Sequence, residues 1–482
     1  MATLNDQQVD RIAAHLAERL GGGRKAPSPP AGSGEARPEP LGEGIFPDVD
    51  RAVEAASIAQ KRLSAEPLAL RGKILAKLRE AFLAEAESLA REALEETGLG
   101  RLEDKILKNR LVTLKTPGLE ALRPDAATGD AGLTLFEPAP YGVIGAITPV
   151  TNPTSTVICN AIGMLAAGNA VVFNVHPSAR RVSMRTVRLL NRAVMDAGGP
   201  ANLATAVGEP TIESAQSLMR HAGVRLLVVT GGAGVVREAM SSGKRAICAG
   251  PGNPPVVVDA TADLEKAGRD IVAGASLDNN IICVDEKEVF VVAEAADALL
   301  ASMRAAGAYL LDAAETRRLE REIFESTAGP GKPGAVRKEL IGKNAAVILA
   351  RIGVTVGEEV RLAVADVPAD HPLVWTEQMM PVLPVVRVES VDRAIELARL
   401  AEHGFGHSAS MHSRDIVALS RMAREIDTSI FVKNGPIYAG LGEGGEGFCS
   451  FTIASPTGEG LTGPISFSRR RRCVMVDHFR IV

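Results

Sequence analysis

Cysteine is sparse and unpaired in this 482-residue chain. The five residues Cys159, Cys248, Cys283, Cys449 and Cys473 are odd in number, widely scattered and without a CxxC pair. That usage argues against a disulfide framework and a Cys-rich zinc site, and fits a reducing compartment. Charge of one sign is also lacking: the formal net charge is −4, which gives no reason to expect nucleic acid as a partner. No apolar run approaches the roughly 20 residues that a membrane span needs. The N-terminal stretch has no basic region followed by an apolar core, so no secretory leader is expected and a cytosolic setting is. Aromatics are few, with one Trp and three Tyr, and no internal repeat is visible. What remains is 46% hydrophobic and 23% charged, a globular composition too long for a single core.

Residues 3–20 have the pattern of an amphipathic helix. Val9, Ile12, Leu16 and Leu20 recur at helical spacing, Thr3 and Asp6 resemble a capping box, and Gly21 to Gly23 end it. Residues 21–44 are rich in Pro, Gly, Ser and Ala, a linker composition. A short helix on such a tether buries its apolar face only in a groove, on its own body or on a partner. From 49 to 122 the pattern is helical, broken at Pro67 and at Pro117-Gly118. Residues 126–132 are expected as a turn region and 133–138 as a short strand.

From Gly142 the texture changes to short buried strands alternating with helices. Strands are expected at 142–149, 169–175, 204–207, 225–230 and 256–259, with helices over 156–166, 179–197, 210–221 and up to 242. A second unit follows: helix 264–275, strand 289–292, helices 296–306 and 316–327, a loop at 329–334, a strand at 345–349, a loop and strand over 377–388, and helix 391–401. This alternation predicts an α/β protein of two doubly wound parallel-sheet domains. Such sheets bind ligands beyond the carboxyl ends of their strands, which singles out the loops 148–152, 174–178 and 230–234. Thr230-Gly231-Gly232-Ala233-Gly234 follows a strand and opens a helix, so its amides could face a pyrophosphate, although it is not a full G-x-G-x-x-G.

Cys283 stands in S-L-D-N-N-I-I-C-V-D-E-K-E, after an amide-rich turn and before a strand. Taken alone it reads either as a presented thiol or as a buried core cysteine. The strand-loop 142–153, the N-A-V-V-F strand, the T-G-G-A-G loop, the A-G-P-G-N turn, D-N-N-x-x-C, E-Q-M-M-P and H-S-A-S-M-H-S occur in one order. That order resembles the aldehyde dehydrogenase superfamily from about residue 46 onward, and within it the CoA-acylating aldehyde dehydrogenases of bacterial microcompartments that serve propanediol and ethanolamine utilisation.

The resemblance implies a fold of coenzyme-binding domain (45–122 and 142–254), catalytic domain (255–445), and an oligomerisation arm with the C-terminal tail (123–141 and 446–482). It implies Cys283 as the nucleophile that forms a thioester from a short-chain aldehyde such as propionaldehyde, with NAD as hydride acceptor (NADP also open) and coenzyme A as acyl acceptor. The backbone amide of Cys283 and a side chain from the 148–152 loop would hold the oxyanion. Aligning Pro149 and Pro153 without a gap puts Thr151 at the position of the usual asparagine, while Asn152 is the better fixed donor, so both stay candidates. Glu377 aligns with the residue that holds the nicotinamide ribose. Thr148, Pro149, Thr230, Gly231, Gly232 and Gly234 are the remaining coenzyme-binding candidates.

Two departures matter. Hydrolytic members carry a water-activating glutamate where this chain has Cys248-Ala249-Gly250-Pro251-Gly252-Asn253, with no carboxylate. A thioester without that base waits for a better nucleophile, and a thiol such as CoA is one. The second departure is Asn174-Val175-His176-Pro177, which replaces the Lys and Glu of common NAD-binding members. A hydrolytic enzyme and an inactive cargo protein are the alternatives.

The resemblance makes residues 3–20 an encapsulation peptide for microcompartment shell or core proteins, and places the protein in the bacterial cytoplasm inside a microcompartment. It implies a homodimer or homotetramer, with a strand near 126–141 pairing with a neighbour's C-terminal tail, itself strand-like over 465–482. His403, His407 and His412 lie close in sequence, but their spacing fits a metal site only loosely and no metal is expected. His176 could sit beside bound phosphates. Arg469 to Arg472 read as a solvated or subunit-facing surface, or more sharply as a phosphate anchor.

Overall fold

The computed structural model describes residues 43–481. The expected amphipathic helix 3–20, and all but the end of the tether, lie outside the described residues. The first parallel sheet has six strands in the spatial order Ile45–Phe46, Ala204–Val207, Ala170–Asn174, Val143–Ile147, Leu226–Thr230 and Ala246–Ala249. Every residue of V-I-G-A-I and A-V-V-F-N is buried, as strands covered on both faces require. The chain steps from Val143–Ile147 outward in one direction, then returns to place Leu226–Thr230 on its other side. That reversal opens a crevice between the loops that follow these two strands.

Helices α1 (Val49–Ala65), α2 (Leu68–Ala84), α3 (Ala86–Thr97) and α4 (Leu102–Lys115) precede the main run of this sheet. The break at Pro67 is the expected one. The breaks at Glu85 and Gly98 fall inside a run read as unbroken; Gly98 ends α3 in the left-handed conformation, φ 65°. Helix α5 (Pro153–Ala166) starts with Pro at its first position, and all of its residues are buried.

The second parallel sheet has seven strands, in the order Tyr309–Leu311, Ala363–Asp366, Val382–Val388, Glu288–Val292, Pro255–Val258, Ser408–His412 and Ile430–Lys433. Several expectations need correction here. Residues 345–349, expected as a strand, lie in the helix Ala345–Ala350, because a short apolar run has no periodicity to separate the two states. The helix expected to run to 327 ends at Ile323, and Phe324–Thr327 pairs antiparallel with Gly334–Val336. Strands Ala246–Ala249, Tyr309–Leu311 and Ala363–Asp366 have no counterpart in the sequence reading, each being too short to stand out.

A third, antiparallel sheet joins Asp125–Gly129, Gly132–Pro140 and Ser468–Val476. Most of the region expected as a turn is therefore a strand. The C-terminal strand pairs with Gly132–Pro140 of its own chain, which corrects the expectation that this strand takes up a neighbour's tail. The tail's Arg470 and Arg472 stack on Phe136, at 4.1 and 5.2 Å from its ring centre. All four arginines are exposed on this sheet, away from the crevice, so the phosphate-anchor reading does not hold. Among the described residues no helix is long and apolar enough to cross a membrane.

Candidate active site

The crevice is a cavity of about 750 Å³ between the two parallel sheets. Thr148, Pro149, Thr151, Asn152, Thr230, Gly231, Gly232, Cys283 and Glu377 all line it. Gly234 does not: it lies within the first turn of the helix Ala233–Met240, past the cavity rim. Gly232 is that helix's N-cap and no side chain caps its amides, which leaves them for a ligand. His176 lines the same wall and its Nδ1 accepts from the Ser178 amide at 3.2 Å.

Cys283 is set by a strained turn. Asp278, Asn279 and Asn280 follow one another at φ 45°, 56° and 65°, a left-handed run that Asx residues tolerate better than others. Each side chain is then tied down. Asn279 Nδ2 donates to the Gly342 carbonyl at 2.9 Å, and Asn280 Nδ2 donates to the carbonyls of Ala275 and Glu286 at 2.8 and 2.9 Å. Lys287, fully buried, closes the loop from below: its Nζ donates to Asn280 Oδ1 (2.6 Å), the Asn280 carbonyl (2.9 Å) and the Ile282 carbonyl (3.2 Å). A buried ammonium with this many acceptors is the kind that the interior tolerates. The Ile282 amide donates to Asp285 Oδ2 at 3.1 Å, completing the turn around the cysteine.

The thiol is in a water-poor place. Burial pushes Cys283 up to about 12, the Glu377 carboxylate pushes in the same direction, and Lys287 opposes both. Glu377 Oε1 accepts from the Gly252 amide at 3.3 Å, and burial raises its carboxyl above the usual range. Gly252 is squeezed between the two sides of the site: a Cβ there would lie 2.9 Å from the Cys283 carbonyl and 3.0 Å from the His407 ring. His407 is buried, and burial lowers its imidazole to about 4, so it is neutral at ordinary pH. With His403 Nε2 donating to the Trp375 carbonyl at 3.0 Å and His412 at a strand end, these histidines do not converge. Among the described residues no His, Cys, Asp and Glu group is arranged to hold a metal ion.

Asn152 and Thr151 lie in one run of contacts that starts at Lys108. Lys108 Nζ lies 2.6 Å from Asn152 Oδ1, and Asn152 Nδ2 donates to Thr151 Oγ1 at 3.2 Å. The Asn152 amide is thus fixed by two contacts, with one of its two N–H hydrogens uncommitted. Ala249, Gly250 and Pro251, the stretch without a carboxylate, line the same cavity. Among the described residues lining the cavity, the titratable ones are Cys283, Glu377 and His176.

Part of the wall escaped the sequence reading. Ser450, Phe451 and Ile453, assigned with the tail to the oligomerisation arm, line the cavity instead, and Thr452 Oγ1 lies 3.0 Å from Thr230 Oγ1. The small, apolar S-F-T-I-A run between glycine-rich segments was the available signal. Ile281, Ile282, Met379 and Leu441 add to the apolar lining.

The cavity thus sits at the switch point of one parallel sheet and faces a cysteine on the loop that leads into a strand of the second. The chain belongs to the aldehyde dehydrogenase family, whose sequence model matches residues 44–316 and 360–445. Within it, the chain is 51% identical over 440 residues to the acetylating acetaldehyde dehydrogenase EutE of Salmonella typhimurium, covering 91% of this chain and 94% of that one. It is 46% identical over 444 residues to the CoA-propanoylating propanal dehydrogenase of the same organism, covering 92% and 94%. Among solved structures it is similar to propionaldehyde dehydrogenase from Rhodopseudomonas palustris with bound CoA and an acylated cysteine. There the TM-score is 0.88 at 49% identity, covering 91% of this chain and 99% of that one.

Proposed function

We propose that the chain is a CoA-acylating aldehyde dehydrogenase that converts a short-chain aldehyde, propionaldehyde foremost, with CoA and NAD⁺ into acyl-CoA and NADH. The observation that carries this reading is the cavity itself. It holds one presented thiol and a fixed amide donor, and has a wall at Ala249, Gly250 and Pro251 with no carboxylate to activate water.

Cys283, as the thiolate, adds to the aldehyde carbonyl and makes a thiohemiacetal. The Cys283 backbone amide and Asn152 Nδ2 are the donors that receive the negative oxygen. When bound, the nicotinamide supplies the acceptor for the hydride that leaves the substrate carbon. The uncapped amides of the first helical turn after Gly232 suit a pyrophosphate, and Glu377, an acceptor, suits the ribose hydroxyls. The thioester on Cys283 then meets CoA: the CoA sulfur bonds to the acyl carbon, the Cys283 sulfur leaves, and Asn152 receives the oxyanion a second time. Asn174 and His176 put no carboxylate where a 2′-phosphate would be repelled, so NADP belongs in the assay beside NAD.

The test is NADH formation from C2, C3 and C4 aldehydes with and without CoA. Turnover is expected only with CoA and is expected to vanish in Cys283→Ala. Sustained oxidation to the free acid without CoA would overturn the reading in favour of a hydrolytic enzyme, and an inert wild type would favour a cargo protein.

The helical pattern of residues 3–20 on a Pro/Gly-rich tether supports a targeting role toward microcompartment shell or core proteins. Removing residues 1–20 is expected to leave turnover intact and to abolish co-localisation with the shell. The thin three-stranded sheet, exposed along Ser468–Val476, supports a homodimer or homotetramer.

A further inference from the structure

Behind the cavity wall lies a buried ionic bridge between the two halves of the site. Asp278 is fully buried on the loop that leads to Cys283. Its carboxylate accepts from the Arg101 amide at 2.7 Å, from Lys105 Nζ at 3.1 Å and from Lys108 Nζ, while its own amide donates to Asp104 at 2.8 Å. It therefore caps α4, which has no side-chain cap of its own, and gathers two lysines one turn apart on that helix. Gly100 makes room, since a Cβ there would lie 2.0 Å from Asp278 Oδ1. Lys105 stops at Asp278. Lys108 goes one contact further, to Asn152 Oδ1 at 2.6 Å.

We propose that Lys108, anchored by Asp278, is the positioning residue that orients the Asn152 amide so that its uncommitted N–H faces the substrate carbonyl. This rests on the reading of Asn152 as an oxyanion donor. The two ends of an asparagine amide are nearly the same shape, and packing alone holds them with little preference. A half-turn of the amide would aim a carbonyl oxygen at the developing oxyanion and turn an attraction into a repulsion. An ammonium has three donors and no acceptor, so the atom facing Lys108 has to be Oδ1 and Nδ2 is forced to the other side. An apolar trio would fill the same volume at similar or better stability, since burying ions is costly even when they are paired. What the ions add is direction. Because Asp278 sits on the nucleophile loop and Lys108 on a coenzyme-domain helix, the same contacts also set the amide's place relative to Cys283.

The experiment compares Lys108→Met, Asn152→Ala, the double variant and Lys105→Met in the CoA-dependent NADH assay, with melting temperatures alongside. Lys108→Met is expected to lower kcat by about 10- to 100-fold, short of the full loss of an oxyanion donor, with KM for NAD⁺ within about twofold. The double variant is expected to match Asn152→Ala within about threefold, because a residue that acts through another adds nothing once that other is gone. Lys105→Met removes a cation from the same carboxylate without touching Asn152 and is expected to keep kcat within about threefold of wild type. Multiplied losses in the double variant, or an equal loss in Lys105→Met, would overturn the proposal and leave Lys108 a folding residue. Full activity in Asn152→Ala would instead overturn the oxyanion reading, so the two failures are told apart.

Discussion

Alkylation of Cys283 as a function of pH reports directly on the electrostatics of the cavity. Only the thiolate reacts. An ordinary cysteine near 8.5 is about one quarter thiolate at pH 8. With the thiol pushed up to about 12, the thiolate fraction at that pH falls to roughly one part in 10⁴. The more basic thiolate is the better nucleophile, which recovers about 30- to 60-fold. Iodoacetamide is thus expected to label Cys283 about 40- to 80-fold more slowly than free cysteine at pH 8, and the rate to climb about tenfold per pH unit through pH 10 without levelling. Glu377→Gln removes a charge that raises the thiol and leaves burial in place, so the curve moves to lower pH and labelling at pH 8 speeds up. The assay is peptide-resolved mass spectrometry, because Cys473 is exposed and labels independently, while Cys159, Cys248 and Cys449 are buried. A plateau by pH 8 in the wild type would refute the reasoning, and so would an unchanged curve in Glu377→Gln.

Gly100→Ala puts a methyl where Asp278 Oδ1 stands and asks alanine to hold φ 80°; a loss of about 3 kcal/mol or more in urea unfolding is expected, with activity falling alongside. Burial lowers Lys105 to about 8, below its ordinary 10.5. Between those values the unfolded chain binds more protons than the folded one, so Lys105 weakens the fold below pH 8 and the penalty is relieved as pH rises toward 10.5. The stability of wild type minus that of Lys105→Met is accordingly expected to increase from pH 8 to pH 10; a flat difference in denaturant titrations would refute it.

The parts of this protein that were legible from its sequence are those in which one residue's neighbours in the chain carry the message. V-I-G-A-I and A-V-V-F-N are continuous apolar runs of strand length, and they form the buried strands they suggest. Cys283 and Glu377 sit in ordered motifs and meet in one cavity. The helix at Ala345–Ala350 was misread because six apolar residues fit either state. Lys108 was invisible for a different reason. A lysine on a helix ordinarily faces solvent, and the carboxylate that draws this one inside lies 170 positions away. Ser450, Phe451 and Ile453 were hidden likewise, since only the folded chain brings the tail back over the crevice.

The wall of Ala249, Gly250 and Pro251 has a consequence for energy. Hydrolysis of a thioester releases its free energy as heat and makes aldehyde oxidation run one way. A wall with no carboxylate at Ala249, Gly250 and Pro251 leaves the acyl group at the thioester level from Cys283 to CoA, so the product leaves still activated. The reaction then stays close enough to balance to run backward, and the ratio of reduced to oxidised coenzyme decides whether the protein consumes aldehyde or makes it.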